Sequence, residues 1–113
     1  MSILNLSGIF PPLPTAFDHD ENLLPGKIRF NIEKLSRYDL AGYLILGSNG
    51  EQVMLSEKEK IEAIAAAREA LPEGRLLLAG TGCQSTRETI SLTRAAAAAG
   101  AHAVLVLNPF YYK

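Results

Sequence analysis

The sequence predicts an α/β chain laid out as the N-terminal half of a (β/α)₈ TIM barrel. About four parallel strands and three helices occupy residues 1–113 as one partial domain, with no second domain. Three observations lead there. Apolar runs alternate with helical patterns along the whole chain. Strand ends near Phe17, Leu46, Ala79 and Leu107 recur at close to the roughly 30-residue interval of a βα unit. The run Ala103–Leu107 is continuously apolar, the pattern of a parallel strand buried on both faces. Eight such units would need about 250 residues, so the chain is expected to hold about half of a barrel and to leave a sheet edge open.

The elements follow in order. Ile9–Phe17 reads as an irregular first strand, because Pro11, Pro12 and Pro14 limit its pairing. Pro25 suits the first turn of a helix whose apolar face is Ile28, Ile32 and Leu35. Gly42–Leu46 is the second strand. Ser56 and Glu59 have capping-box spacing and open a helix with Ile61, Ile64, Ala65 and Leu71 on one face; Pro72-Glu73-Gly74 ends it. Arg75–Ala79 is the third strand. Ser85 and Glu88 repeat the box before Leu92, Ala95, Ala96 and Ala99, and Gly100 stops that helix. Ala103–Leu107 is the fourth strand.

Composition narrows the function. Eleven Lys and Arg against twelve Asp and Glu leave a formal charge of −1, and no basic cluster is interleaved with aromatics. That gives no electrostatic support to a nucleic-acid or acidic-membrane partner and points to small-molecule chemistry or protein contacts. The single Cys83 excludes an internal disulfide and a CxxC motif, which fits a reducing compartment. The apolar stretches are too short to cross a bilayer and residues 1–5 lack a leader's pattern, so the expected location is the cytoplasm.

Chemistry is expected at the carboxyl ends of the strands, where the loops of a parallel α/β fold gather. Gly47-Ser48-Asn49-Gly50-Glu51 stands there. Ser48 can relay a proton, Asn49 can donate to a carboxylate, and Gly50 lets backbone amides approach a ligand, which together make a carboxylate-binding nest. The same residues also suit an ordinary strand-to-helix turn, and Glu51 suits a helix start better than a base. Gly80-Thr81-Gly82 completes neither GxGxxG nor GKS/GKT and reads as a tight turn lining a pocket. Cys83 has no identifiable base, and neither His19 nor His102 belongs to a metal motif. Pro109-Phe110-Tyr111-Tyr112 would bring phenols to the face of the Ser48 loop, or pack under a loop or interface.

Gly8-Ile9-Phe10, Pro14-Thr15-Ala16-Phe17, Gly47-Ser48-Asn49-Gly50-Glu51, Leu78-Ala79-Gly80-Thr81-Gly82 and Pro109-Phe110-Tyr111, in this order and spacing, resemble the dihydrodipicolinate synthase and N-acetylneuraminate lyase superfamily of class I Schiff-base aldolases. The resemblance covers essentially the whole chain. Within it, Gly47-Ser48-Asn49-Gly50-Glu51 together with Leu76–Cys83 and Ser85-Thr86 looks most like 4-hydroxy-2-oxoglutarate aldolase. The resemblance implies a barrel that binds pyruvate or another 2-oxo acid as a lysine Schiff base and makes or breaks a carbon–carbon bond, with no metal or organic cofactor. Ser48 then matches the hydroxyl of the family's proton relay. Asn49 matches a position that helps hold the 2-oxo acid carboxylate, although dihydrodipicolinate synthases usually carry threonine there. Tyr111 matches a relay tyrosine that reaches a neighbouring subunit's site in the family's homo-oligomers; Tyr112 leaves that register open by one residue.

The resemblance places the Schiff-base lysine on strand six and the second relay tyrosine on strand five, both beyond Lys113. Lys27, Lys34, Lys58 and Lys60 fall on expected helices, and Lys113 is terminal, so none is expected to have a desolvated lysine's lowered pKa. The isolated chain is expected to be inactive. The alternative, from another class, is a non-catalytic half-barrel module that associates through its open sheet edge.

Overall fold

Prolines decide how the chain enters the sheet. The computed structural model describes residues 3–112. Within Ile9–Phe17, Pro11, Pro12 and Pro14 have no amide hydrogen to give a ladder. The segment nevertheless runs parallel to the next strand through a single bridge, Pro12 to Leu44. Leu13 donates to the Leu44 carbonyl at 2.9 Å, and Leu44 donates back to that of Pro11 at 3.1 Å. The expected first strand is therefore present as a parallel path with one bridge. Beyond Phe17, Asp18 closes a turn by accepting from the Asp20 and Asn22 amides at 2.8 and 2.9 Å.

The regular elements are α1 (Pro25–Leu35), β1 (Gly42–Ile45), α2 (Glu57–Ala70), β2 (Leu76–Gly80), α3 (Thr86–Ala99) and β3 (Ala103–Leu105). Two 3₁₀ turns, Ser48–Gly50 and Gln52–Met54, lie between β1 and α2. The strands pair in parallel in the order β1-β2-β3, with Tyr43 beside Leu77 and Ala79 beside Val104. With the Pro12 path outside β1, strands and helices follow one another as in half of a barrel.

Each helix begins for a local reason. Pro25 sits at the start of α1 and no side chain caps it. At α2 the capping box is complete: Glu59 N–H donates to Ser56 Oγ, and Ser56 N–H to the Glu59 carboxylate. At α3 only the forward half forms, from Glu88 N–H to Ser85 Oγ at 3.0 Å, so the second expected box is half a box. Gly100 ends α3 in the left-handed conformation, φ 112°.

Helices α1 and α2 pack on each other and on the sheet around Ile28, Ile32, Tyr43, Ile45, Ile64 and Leu77. The face of α2 differs from expectation: Ala63, Ile64, Ala66 and Ala67 are buried and Ala65 is exposed. Ala95, Ala96 and Ala99 of α3 turn inward as expected, with Ala96 and Leu92 fully buried. Burial of Ala103–Leu107 on both faces is not found: Leu105, Val106 and Leu107 are 46%, 52% and 50% exposed. Leu105 ends β3, the edge strand, and Val106 and Leu107 follow it outside the ladder; among the described residues no further strand covers that side.

At the amino ends of the strands, Arg75 ties β2 to α1. Its guanidinium donates to the Ser36 and Tyr38 carbonyls at 3.0 and 2.8 Å and to the Tyr43 hydroxyl at 3.1 Å. A cation at that helix end also complements the dipole.

Candidate functional site

The backbone kinks where β1 ends. Leu46 is buried yet has φ 62°, a left-handed conformation that costs a bulky residue on the order of 1–3 kcal/mol. The kink aims the Leu46 carbonyl at the bare Cα of Gly80, where a Cβ would overlap that oxygen. Gly80 is thus required by close approach rather than by its own dihedral angles.

The chain then turns through Ser48–Gly50. Gly50 N–H donates to the Gly47 carbonyl at 3.0 Å, and Glu51 N–H to that of Ser48 at 3.1 Å. The Gly50 amide is therefore used within the turn. Gly50 is buried against Leu13 and Thr15. Among the described residues, the Ser48 and Asn49 amides have no such backbone partner. Glu51 follows in the left-handed region, φ 56°, between the two 3₁₀ turns rather than at the start of an α-helix.

Above the strands lies a cleft of about 200 Å³. Gly47, Gly80 and Gly82 contribute backbone to it, Leu105 and Leu107 contribute apolar wall, and Ser48 stands at its rim. Asn49 is exposed beside the cleft and is not among its lining residues. Tyr111 and Tyr112 are 77% and 82% exposed, with their rings in edge contact at 5.1 Å. The structure brings Ser48 to the cleft and leaves Tyr111 outside it. Among the described residues no lysine lines this cleft: Lys27 and Lys34 lie over the Phe30 ring, Lys58 approaches Glu62, and Lys60 lines an adjoining hollow with Gln52, Val53 and Gly82. Lys113 lies outside the described residues.

Three polar side chains that sequence reasoning did not single out tie each loop to the next. Thr15, itself buried, donates its hydroxyl to the Gly50 carbonyl at 2.6 Å. Gln52, also buried, donates Nε2–H to the Gly82 carbonyl at 3.0 Å. Gln84 Oε1 accepts from the Phe110 and Tyr111 amides, each at 3.2 Å. The Gly80-Thr81-Gly82 loop lines the cleft as expected, with Thr81 buried and its hydroxyl 2.8 Å from that of Thr93. His19 lies in the exposed turn, and His102 just before β3. No group of His, Cys, Asp or Glu suited to a metal occurs among the described residues.

A family model, the Dihydrodipicolinate synthetase family, matches residues 5–113. The chain is 33% identical to the 4-hydroxy-tetrahydrodipicolinate synthase of Haloarcula marismortui, over all of this chain and 37% of that one. It is 38% identical to a protein of Emericella nidulans named "Probable 4-hydroxy-2-oxoglutarate aldolase, mitochondrial", over 94% of this chain and 36% of the relative. Among solved structures, YagE, a prophage protein of the dihydrodipicolinic acid synthase family from E. coli K12 in complex with pyruvate, superposes with a TM-score of 0.89. That match has 34% identity and covers 96% of this chain and 36% of the other. The chain thus spans about a third of the length of the relatives it matches.

Proposed function

The chain belongs to the dihydrodipicolinate synthetase family, and from that premise we propose that it supplies the carboxylate-holding corner of a class I aldolase or lyase site for pyruvate or a related 2-oxo acid. The observation that carries the reading is the Ser48 turn. It sets the Ser48 hydroxyl and backbone at the rim of a cleft over the carboxyl ends of the strands, and leaves the Ser48 amide and that of the adjacent, exposed Asn49 without a backbone partner among the described residues. Such donors suit a carboxylate. Asn49 adds a side-chain amide beside them, and Tyr111 acts in the proton relay once its segment is seated against a neighbouring subunit.

In this reading the 2-oxo acid condenses with a lysine amine, releasing water and forming an imine. The protonated imine takes up the electron pair of the breaking carbon–carbon bond as an enamine, and Ser48 and Tyr111 carry protons to and from the reacting oxygen. The lysine belongs to polypeptide other than residues 1–113, and residues 1–113 form one partial domain that is inactive by itself. Relatives assigned different reactions stand at comparable identity, so the aldehyde partner is left unspecified. The unpaired thiol of Cys83 is compatible with a cytoplasmic location.

The test is borohydride trapping with pyruvate on the natural protein, read by intact mass and peptide mapping. The expected result is a reduced pyruvate adduct on a lysine outside residues 1–113, diminished by Ser48→Ala. An adduct on Lys27, Lys34, Lys58 or Lys60, or no adduct in the natural protein, would overturn the reading. The second outcome would leave the open-edged half-barrel module.

A further inference from the structure

The amino-terminal end of the sheet, opposite the cleft, carries a cluster that the aldolase reading does not use. Leu77 donates its backbone N–H to His102 Nδ1 at 3.0 Å. That nitrogen therefore presents its lone pair, and the proton of the neutral ring sits on Nε2. Arg68 Nη1 stands 3.3 Å from the same Nε2. A guanidinium carries donors and no acceptor, so two N–H groups are brought side by side at an exposed position. Among the described residues, neither side chain forms an ion pair with a carboxylate.

Both donors are held in place. The stem of Arg68 lies against the bare Cα of Gly100, where a Cβ would come within 2.8 Å of the Arg68 Cδ. The His102 ring is fixed on one edge by Leu77 N–H, and its own backbone N–H donates to the Leu77 carbonyl at 2.8 Å. The pair opens on a hollow of about 510 Å³ beside the Pro72–Arg75 turn. Arg75 also lines it, although its guanidinium is engaged by the Ser36 and Tyr38 carbonyls and the Tyr43 hydroxyl, and Glu73 is the one carboxylate among the described residues lining it.

We propose that Arg68 Nη1 and His102 Nε2 form a binding site for a small oxyanion, a phosphate or a small carboxylate, whose oxygens accept from both donors. Charge-assisted bonds from two oriented donors are the stronger kind, and Arg75 adds to the local positive potential. Binding is linked to protonation of His102, because an anion at Nε2 favours the charged ring. Arg68 from α2, Arg75 from β2's approach and the Leu77 N–H oppose that charge; Glu73 favours it. The site stands at the other end of the strands from Ser48 and does not depend on the proposed reaction.

The chain's two histidines supply the experiment and its control. Imidazole resonances are followed through pH in the purified protein while sodium phosphate, or sodium acetate, replaces sodium chloride at constant ionic strength. The expected result is a saturable upward movement of the His102 titration midpoint with His19 unmoved, and affinity weakened roughly tenfold or more in Arg68→Gln. A response to phosphate alone, to acetate alone or to both supports the site and names the anions it takes. No response, or equal movement of His19 and His102, overturns it. Should Arg68→Gln fail to fold, the comparison of the two histidines in the unaltered chain decides by itself.

Discussion

Replacing Thr15 with valine removes one hydroxyl and tests how the Ser48 turn is held. The Thr15 side chain is 8% exposed, and its Oγ1 donates to the Gly50 carbonyl at 2.6 Å. Valine keeps the branched shape but puts a methyl where the hydroxyl stood. A carbon meets a carbonyl oxygen at about 3.3–3.6 Å, so the Gly50 carbonyl must retreat by roughly 0.7–1 Å and loses its donor. A buried acceptor left without a partner costs about 1–3 kcal/mol. At roughly 4–8 °C per kcal/mol for a chain of this size, Tm should fall by about 5–20 °C. Thermal unfolding followed by circular dichroism measures that loss. Amide resonances report the second consequence: those of Ser48 and Asn49 should move in Thr15→Val and stay near their original positions in Thr15→Ser, which keeps the hydroxyl. A Thr15→Val chain within about 0.5 kcal/mol of the parent, or Ser48 and Asn49 amides displaced equally by serine and valine, would refute the reasoning.

Three further outcomes are expected. Gly80→Ala drives a methyl into the Leu46 carbonyl oxygen and should cost at least the roughly 1–3 kcal/mol of an overpacked site; an unchanged denaturant midpoint would show that the kink after β1 is not fixed by this approach. Tyr43→Phe removes an acceptor for the Arg75 guanidinium while Arg75 keeps the Ser36 and Tyr38 carbonyls, so urea unfolding should show a loss of about 1 kcal/mol with an unaltered m-value. Burial first, and the Arg68 guanidinium second, hold His102 below its ordinary value of 6.5. As pH falls through 6.5 the unfolded chain takes up this proton before the folded chain does, so stability is complete above that pH and declines toward the depressed folded-state value; His102→Gln should flatten the decline just below pH 6.5, and an equal slope in both proteins would assign it elsewhere.

What the sequence disclosed follows from how local each signal is. The box at Ser56 and Glu59 lies within one helical turn, and it forms in both directions. The same spacing at Ser85 and Glu88 yields only the forward bond, while Thr89 Oγ1 donates to the Ser85 carbonyl. In α2, alanines at 63, 65, 66 and 67 carry almost no facial information, because a methyl group suits a core and a surface alike. Packing against α1 and α3 chose the buried side, and Ala65 fell outside it. The apolar run Ala103–Leu107 announced a strand correctly but not its burial, which requires neighbours on both sides. Ser48 was legible because it follows a strand end. Thr15, Gln52 and Gln84 were not, because each meets a backbone group in another loop, and backbone groups are the same at every residue.

Those three ties differ in a way that bears on the site. The first is buried and 2.6 Å long, the second is buried at 3.0 Å, and the third is an exposed pair at 3.2 Å. Water competes least for the first and most for the last. Order therefore declines along the chain from the Ser48 turn toward Tyr111. The corner with the open Ser48 and Asn49 amides is set before any ligand arrives, its Leu46 strain held by the packing around it. Tyr111 is held by its backbone bond to Gln84 and an edge contact with the likewise exposed Tyr112 ring. The relay proposed between Ser48 and Tyr111 thus requires a further surface to fix the phenol, whose ring is 77% exposed in this structure.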